Sequence, residues 1–110
     1  MFERGELLIV PYPFTDHSSS KRRPVLVITS PDHHGDFIAM PVTSRGYHNN
    51  SLPLEGKMAR GELPKLSWVR TDRIITLNLS LVVKSFARCD SDLVDHAVSQ
   101  CCVYMGNKVA

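Results

Sequence analysis

Residues 21 to 29 read Lys21-Arg22-Arg23-Pro24-Val25-Leu26-Val27-Ile28-Thr29. The part from Val25 onward is apolar and mostly β-branched, and it is too short to bury the face of a helix. Pro24 pushes the preceding residue toward extended geometry and so helps to fix where Arg23 points. The stretch therefore predicts a buried strand with a basic run at its start. The same signature recurs outward along the chain, at Leu7 to Val10, Phe37 to Thr43, Leu66 to Val69 and Leu79 to Phe86, with polar residues, Pro or Gly between the runs. Apolar runs at this spacing predict a mainly β fold, a strongly curved sheet or small barrel buried on its inner face. Two polar stretches, Pro13 to Arg22 with Ser18, Ser19 and Ser20 at its centre and Ser44 to Asn50, are expected to be exposed loops.

The period changes near the end. Leu93, Val94, Ala97, Val98, Cys101, Cys102 and Met105 recur as one face of an amphipathic helix. Asp90 or Ser91 can cap its start, Asp92 and Asp95 oppose the positive end of its dipole, and Gly106 suits its C-terminal cap. No internal repeat or linker interrupts the chain, so residues 1 to 110 are expected to form a single domain.

Composition narrows the setting. Apolar residues are 43% of the chain and charged residues 22%, ordinary for a soluble globular protein, and no stretch approaches the roughly 20 apolar residues of a membrane span. The N-terminal residues carry charges of both signs ahead of a short apolar run, unlike a secretory signal, so a cytoplasmic location with no membrane partner is expected. Three cysteines, Cys89, Cys101 and Cys102, are an odd and poorly spaced set for a disulfide framework, and reduced thiols follow. Residues 1 to 88 hold 12 Lys/Arg against 8 Asp/Glu, whereas residues 89 to 110 hold 1 against 3. Any anionic partner should meet the first part.

Three clusters could carry chemistry. In Lys21-Arg22-Arg23-Pro24, Arg23 offers a planar fork of donors suited to phosphate oxygens; a solvated basic turn would read the same way. In Pro41-Val42-Thr43-Ser44-Arg45, two hydroxyls and a cation stand at a strand end, a frequent home of site residues and of ordinary turns alike. In Arg70-Thr71-Asp72-Arg73, alternation along an extended segment would set Arg70 beside Asp72, as a working pair or as a simple ion pair. The five histidines, at 17, 33, 34, 48 and 96, fall at no ligand spacing, so no metal site is expected. His17 lies in the loop leading to Arg23, as a proton carrier or as an exposed loop residue.

The order and wording of these clusters resemble the MazF/PemK (Kid) family of type II toxins over nearly the whole chain. Arg4-Gly5-Glu6 through Pro13-Phe14-Thr15-Asp16 is similar to that family's opening strand and its PFTD loop entry. Lys21 to Ile28 is similar to its K-x-RP-x-[LV]-V segment, Pro41-Val42-Thr43-Ser44 to its P-[IV]-T-S strand end, and Val69-Arg70-Thr71-Asp72 to its V-x-x-D. The chain departs from the pattern at Ser18, Ser19 and Ser20, where a glycine is usual, and at Trp68 before Val69.

The resemblance implies a small SH3-like barrel with a C-terminal helix, pairing as a homodimer. It also implies sequence-specific cleavage of single-stranded RNA without metal or other cofactor, inhibited by a cognate antitoxin whose peptide occupies the RNA groove. Carried over by position, Arg23, Thr43, Arg70 and Asp72 match the family's catalytic residues, and Lys21, Arg22, Ser44, Arg45 and His17 would bind RNA. Such a reaction removes a proton from the ribose 2′-hydroxyl, delivers one to the leaving group and stabilises charge on the phosphate. Arg23 would supply the charge and Thr43 a hydrogen bond to the phosphate; Asp72 would accept a proton or orient Arg70, with His17 as a reserve acid or base. Two other outcomes fit the same fold: a gyrase poison like the CcdB relatives, or an RNA-binding module without catalysis. The first would place its decisive residues at the C-terminal end, here Gly106 to Ala110, and lacks the Arg-Pro and Thr-Ser pairing.

Overall fold

The computed structural model describes residues 2–13 and 20–106, and among them eight strands, one 3-10 turn and one α-helix follow in order. The strands are β1 (Glu6–Pro13), β2 (Ser20–Val27), β3 (Asp36–Thr43), β4 (Ser51–Pro53), β5 (Met58–Arg60), β6 (Trp68–Arg70), β7 (Ile75–Asn78) and β8 (Lys84–Cys89). The helix α1 runs over Ser91–Tyr104. All the pairings are antiparallel, in the order β4-β6-β3-β2-β1-β8-β5, with β7 lying against β3 beside that path. The result is the expected mainly β architecture, a curled half-barrel sheet with one C-terminal helix.

The sequence suggested burial on one face, but the central strands are buried on both. Leu7, Leu26, Met40, Val42, Val69 and Ala87 point to the side where α1 packs through Leu93, Val94, Ala97 and Cys101. Leu8, Val10, Val25, Val27, Phe37 and Ala39 form a second cluster, closed by half-buried Phe2, Ile75, Leu77 and Val82. Side chains alternate across a strand, so two apolar faces require unbroken apolar runs. That is why Val25, Leu26 and Val27 are all fully buried.

Several local expectations shift. Lys21, Arg22 and Arg23 do not lie in a turn: they pair with Tyr12, Pro11 and Val10 as the first half of β2. The apolar run from Leu79 to Phe86 is not one strand, because Leu79–Leu81 form a 3-10 turn capped by the Asn78 side chain, and β8 starts only at Lys84. Helix α1 has the expected period but a narrower stripe: Cys102 is half-buried and Met105 is 63% exposed. Asp90 caps it without a side-chain hydrogen bond, and Gly106 takes the left-handed φ of 105° expected past the end. Among the described residues no helix is long and apolar enough to cross a membrane.

Gly61 shows how closely β8 is covered. At φ +76°, a Cβ there would stand 2.8 Å from the Phe86 carbonyl oxygen and 3.0 Å from Ala87. Gly56 has nearly the same φ, +75°, but open space around it. Gly61→Ala should therefore destabilise by about 2–4 kcal/mol, against about 1 kcal/mol for Gly56→Ala, which carries only the left-handed strain. Urea denaturation of the two variants checks this, and equal losses would show that the backbone of β8 gives way freely.

Candidate functional site

The pairing of β3 assembles the site. Val25 lies opposite Pro41 in the β2·β3 ladder, and continuing that register by two residues sets Arg23 across from Thr43. On its other edge β3 pairs with β6, with Val42 opposite Val69 and Thr43 opposite Trp68, and β6 in turn places Arg70 opposite Ser51 of β4. Val42 and Val69 point into the α1-side core. By alternation Thr43, Trp68 and Arg70 face the other way.

Beyond β6 the same alternation is held by Thr71, which is fully buried. Its hydroxyl donates to Gln100 Oε1 of α1 at 2.7 Å, and its amide donates to the Asn50 carbonyl at 2.9 Å. With Thr71 turned inward, Arg70 and Asp72 are neighbours on the outer side, as the sequence suggested. Arg70 Nε and Nη2 donate to the two Asp72 carboxylate oxygens at 2.9 and 2.8 Å. Both side chains are largely shielded, at 14% and 17% exposure, so the pair is a forked ion pair in reduced water contact rather than a loose surface bridge. The hydrogen bonds from Arg70 hold the Asp72 carboxyl below its ordinary range, against partial burial, which acts upward.

Two clefts share a wall made of Arg23, Val42, Thr43 and Ser44. The first, of about 470 Å³, is strongly basic: besides Arg23 it is lined by Arg45, Arg70 and Arg73, together with Tyr47 and His48. The second, of about 390 Å³, is more apolar, with Ile9, Pro24, Leu63 and Phe86 as its floor and Lys65 and Lys84 among its charged residues. A phosphate at the shared wall would meet guanidinium donors and the Thr43 hydroxyl, which already accepts the Arg45 amide hydrogen at 3.1 Å.

Of the residues singled out in the sequence, Arg23, Thr43, Ser44, Arg45 and Arg70 line the basic cleft, and Asp72 reaches it through Arg70. Lys21 and Arg22 are exposed on β2 and line neither cleft. His17, with the serines at 18 and 19, lies outside the described residues. Two cleft residues, Tyr47 and His48, were not foreseen, and Arg73 had been read only as the end of the Arg70–Arg73 cluster. His48 Nε2 is 3.3 Å from Arg70 Nη1, and the Tyr47 ring lies 4.5 Å from the imidazole, tilted by 38°. The only hint in the sequence was a histidine five residues after Thr43, inside a stretch that otherwise reads as a polar loop.

The Cys89 thiol stands apart from this chemistry. Cys89 is buried, and desolvation, aided by Asp90, pushes its thiol up to about 12. Among the described residues, no three His, Cys, Asp or Glu side chains gather into a set that could hold a metal ion.

The lowered carboxyl of Asp72 links the site to stability. A group whose folded pKa is depressed contributes stability that is present above its unfolded pKa and lost as pH falls through the folded value. Asp72→Asn should therefore destabilise by about 1–2 kcal/mol at neutral pH, and the gap from the parent protein should begin to shrink below about pH 4, where the carboxyl of the unfolded chain takes up protons, and go on shrinking as pH falls through the lower range in which the folded one does. Urea midpoints at pH 7 and pH 3 test this. An equal gap at both would mean that the charge of Asp72 does not hold Arg70.

The family model described as PemK-like, MazF-like toxin of type II toxin-antitoxin system matches residues 3–103. No curated protein sequence matches the chain. Among solved structures, a MazE-MazF complex from Deinococcus radiodurans superposes with a TM-score of 0.69 at 23% identity, covering 96% of this chain and 95% of that one. An endoribonuclease in complex with its cognate antitoxin from a mycobacterial species gives 0.70 at 14% identity over 100% of both chains. The Mycobacterium tuberculosis toxin MazF-mt6 gives 0.59 at 20%, over 86% of this chain and 90% of that one. At these identities the structural likeness speaks for the fold, and the family match spans nearly the whole chain. The chain thus belongs to the PemK/MazF family of toxins of type II toxin–antitoxin systems.

Proposed function

We propose that the chain is an endoribonuclease that cuts single-stranded RNA, without metal, through attack of the ribose 2′-hydroxyl on the adjacent phosphorus. The observation that carries this reading is the convergence of Arg23 and Thr43 with the Arg70–Asp72 pair on one basic cleft. Charge that grows on the phosphate oxygens in the transition state is stabilised by donors aimed at them. Arg23 and Arg70 supply such charge, and Thr43 supplies a hydroxyl at the wall between the two clefts. Asp72 has both oxygens engaged by Arg70, which suits it to orienting that guanidinium more than to taking a proton. Ser44 and Arg45, next to Thr43, would bind the RNA strand, while Lys21 and Arg22 would attract it from outside the cleft.

The toxin would act on mRNA in the cytoplasm, arresting translation and growth. A cognate antitoxin would silence it, as supported by the MazE-MazF complex and the antitoxin-bound mycobacterial endoribonuclease that share its fold. An acidic antitoxin segment and RNA would compete for the same basic surface. Two copies of the chain would pair as a homodimer, as its resemblance to the family implies.

Incubation of the purified protein with a defined single-stranded RNA in EDTA tests the reading. We expect fragments ending in a 2′,3′-cyclic phosphate or 3′-phosphate with a 5′-hydroxyl. Arg23→Ala should slow cleavage about 10²-fold or more, on the order of 3 kcal/mol of transition-state stabilisation, with little change in folding stability. Arg22→Ala should matter far less. A strict need for divalent metal, or equal and mild effects of the two substitutions, would overturn it.

A further inference from the structure

His48 sits where a reaction of this kind needs a proton acceptor. Its loop is held on both sides. Gly46 packs on the indole of Trp68 so closely that a Cβ there would come within 2.6 Å of the ring. On the far side, Ser51 Oγ donates to the His48 carbonyl at 2.8 Å, and the Thr71 amide donates to the carbonyl of Asn50. The half-buried imidazole is thereby fixed in the basic cleft, with Nε2 3.3 Å from Arg70 Nη1.

A guanidinium has hydrogens to give and no lone pair to receive one. The contact therefore selects the neutral imidazole that carries its proton on Nδ1 and a lone pair on Nε2. Among the described residues, the charged and titratable groups around it are Arg23 on β2, Arg45 and Tyr47 on its own loop, Arg70 on β6, and Asp72 and Arg73 just beyond. None of the arginines can take a proton at ordinary pH, and the Asp72 carboxylate is tied to Arg70 by both oxygens.

We propose that His48 is the general base of the cleavage, a step that rests on the RNA-cleaving reading above. The phosphate binds against Arg23 and Thr43 and draws Nη1 of Arg70 toward its oxygens, which frees the lone pair on Nε2. Nε2 takes the 2′-hydroxyl proton while the 2′ oxygen forms its bond to phosphorus. The bond from phosphorus to the 5′ oxygen breaks with its electron pair on that oxygen, which is protonated by water in the open cleft. The products are a 2′,3′-cyclic phosphate and a 5′-hydroxyl. Arg70, held by Asp72, contacts the ring before RNA binds and the phosphate after it.

Single-turnover cleavage of a defined RNA in EDTA, followed from about pH 5 to 9 where imidazole ordinarily titrates, tests the assignment with the parent protein, His48→Ala and His48→Gln. The parent rate should climb with pH through the neutral range. Both variants should be about 10²–10⁴-fold slower and lose that climb, while binding RNA within a few-fold of the parent by fluorescence anisotropy. Added imidazole should restore part of the rate of His48→Ala. On the parent protein alone, ¹⁵N chemical shifts of the His48 ring should report the proton on Nδ1. Variants that keep the parent rate, that lose rate with the pH dependence intact, or that gain nothing from imidazole would overturn the proposal, as would a ring protonated on Nε2. A parent protein that cuts no RNA would instead overturn the reading on which it rests.

Discussion

The site depends on strict alternation along three paired strands. Val42, Val69 and Thr71 are buried on the side of the sheet that α1 covers, the valines in its core and Thr71 bonded to Gln100. A slip of one residue in β3 or β6 would turn that whole set outward and carry the polar neighbours into the core, so the register is strongly determined. Given that register, Thr43, Arg70 and Asp72 have no choice but the opposite face, and Arg23 meets them across the β2·β3 ladder. The functional geometry is thus the reverse side of the packing of the core.

That arrangement gathers like charges, which ordinarily costs stability. Four arginines line one cleft, and Asp72 engages one of them, Arg70, with both carboxylate oxygens. Such a cleft suits an anionic ligand, and field lines in a partly enclosed cleft raise the local concentration of one. A phosphodiester strand meets the cleft at several points at once, and so does an acidic peptide. The apolar cleft beyond the shared wall adds a place where a base or an apolar side chain can leave water. Substrate and inhibitor would thus answer to the same physical features.

Much of the fold was legible in the sequence because the central strands are buried on both faces, leaving unbroken runs such as Val25-Leu26-Val27. The three-residue strands β4 and β5 were not legible, since three residues carry no period. Leu79, Leu81 and Val83 read as core but are exposed, because the Asn78 cap bends the chain into a 3-10 turn there. Arg70 and Asp72 were readable as neighbours, since two residues along an extended segment suffice to bring them together. His48 was not. Its contact with Arg70 spans 22 residues and depends on the seat of the loop against Trp68, which no local pattern records. The anchoring of Thr71 by Gln100, across 29 residues, was invisible for the same reason.

The central claim is that the basic cleft acts on RNA through the ribose 2′-hydroxyl. The most direct measurement replaces that hydroxyl by hydrogen at the single cut position of an otherwise unchanged RNA and follows cleavage there. A site working through 2′-hydroxyl attack has no nucleophile in such a substrate, so cleavage at that position should vanish while the RNA still binds. Continued cutting at the deoxy position would contradict the account.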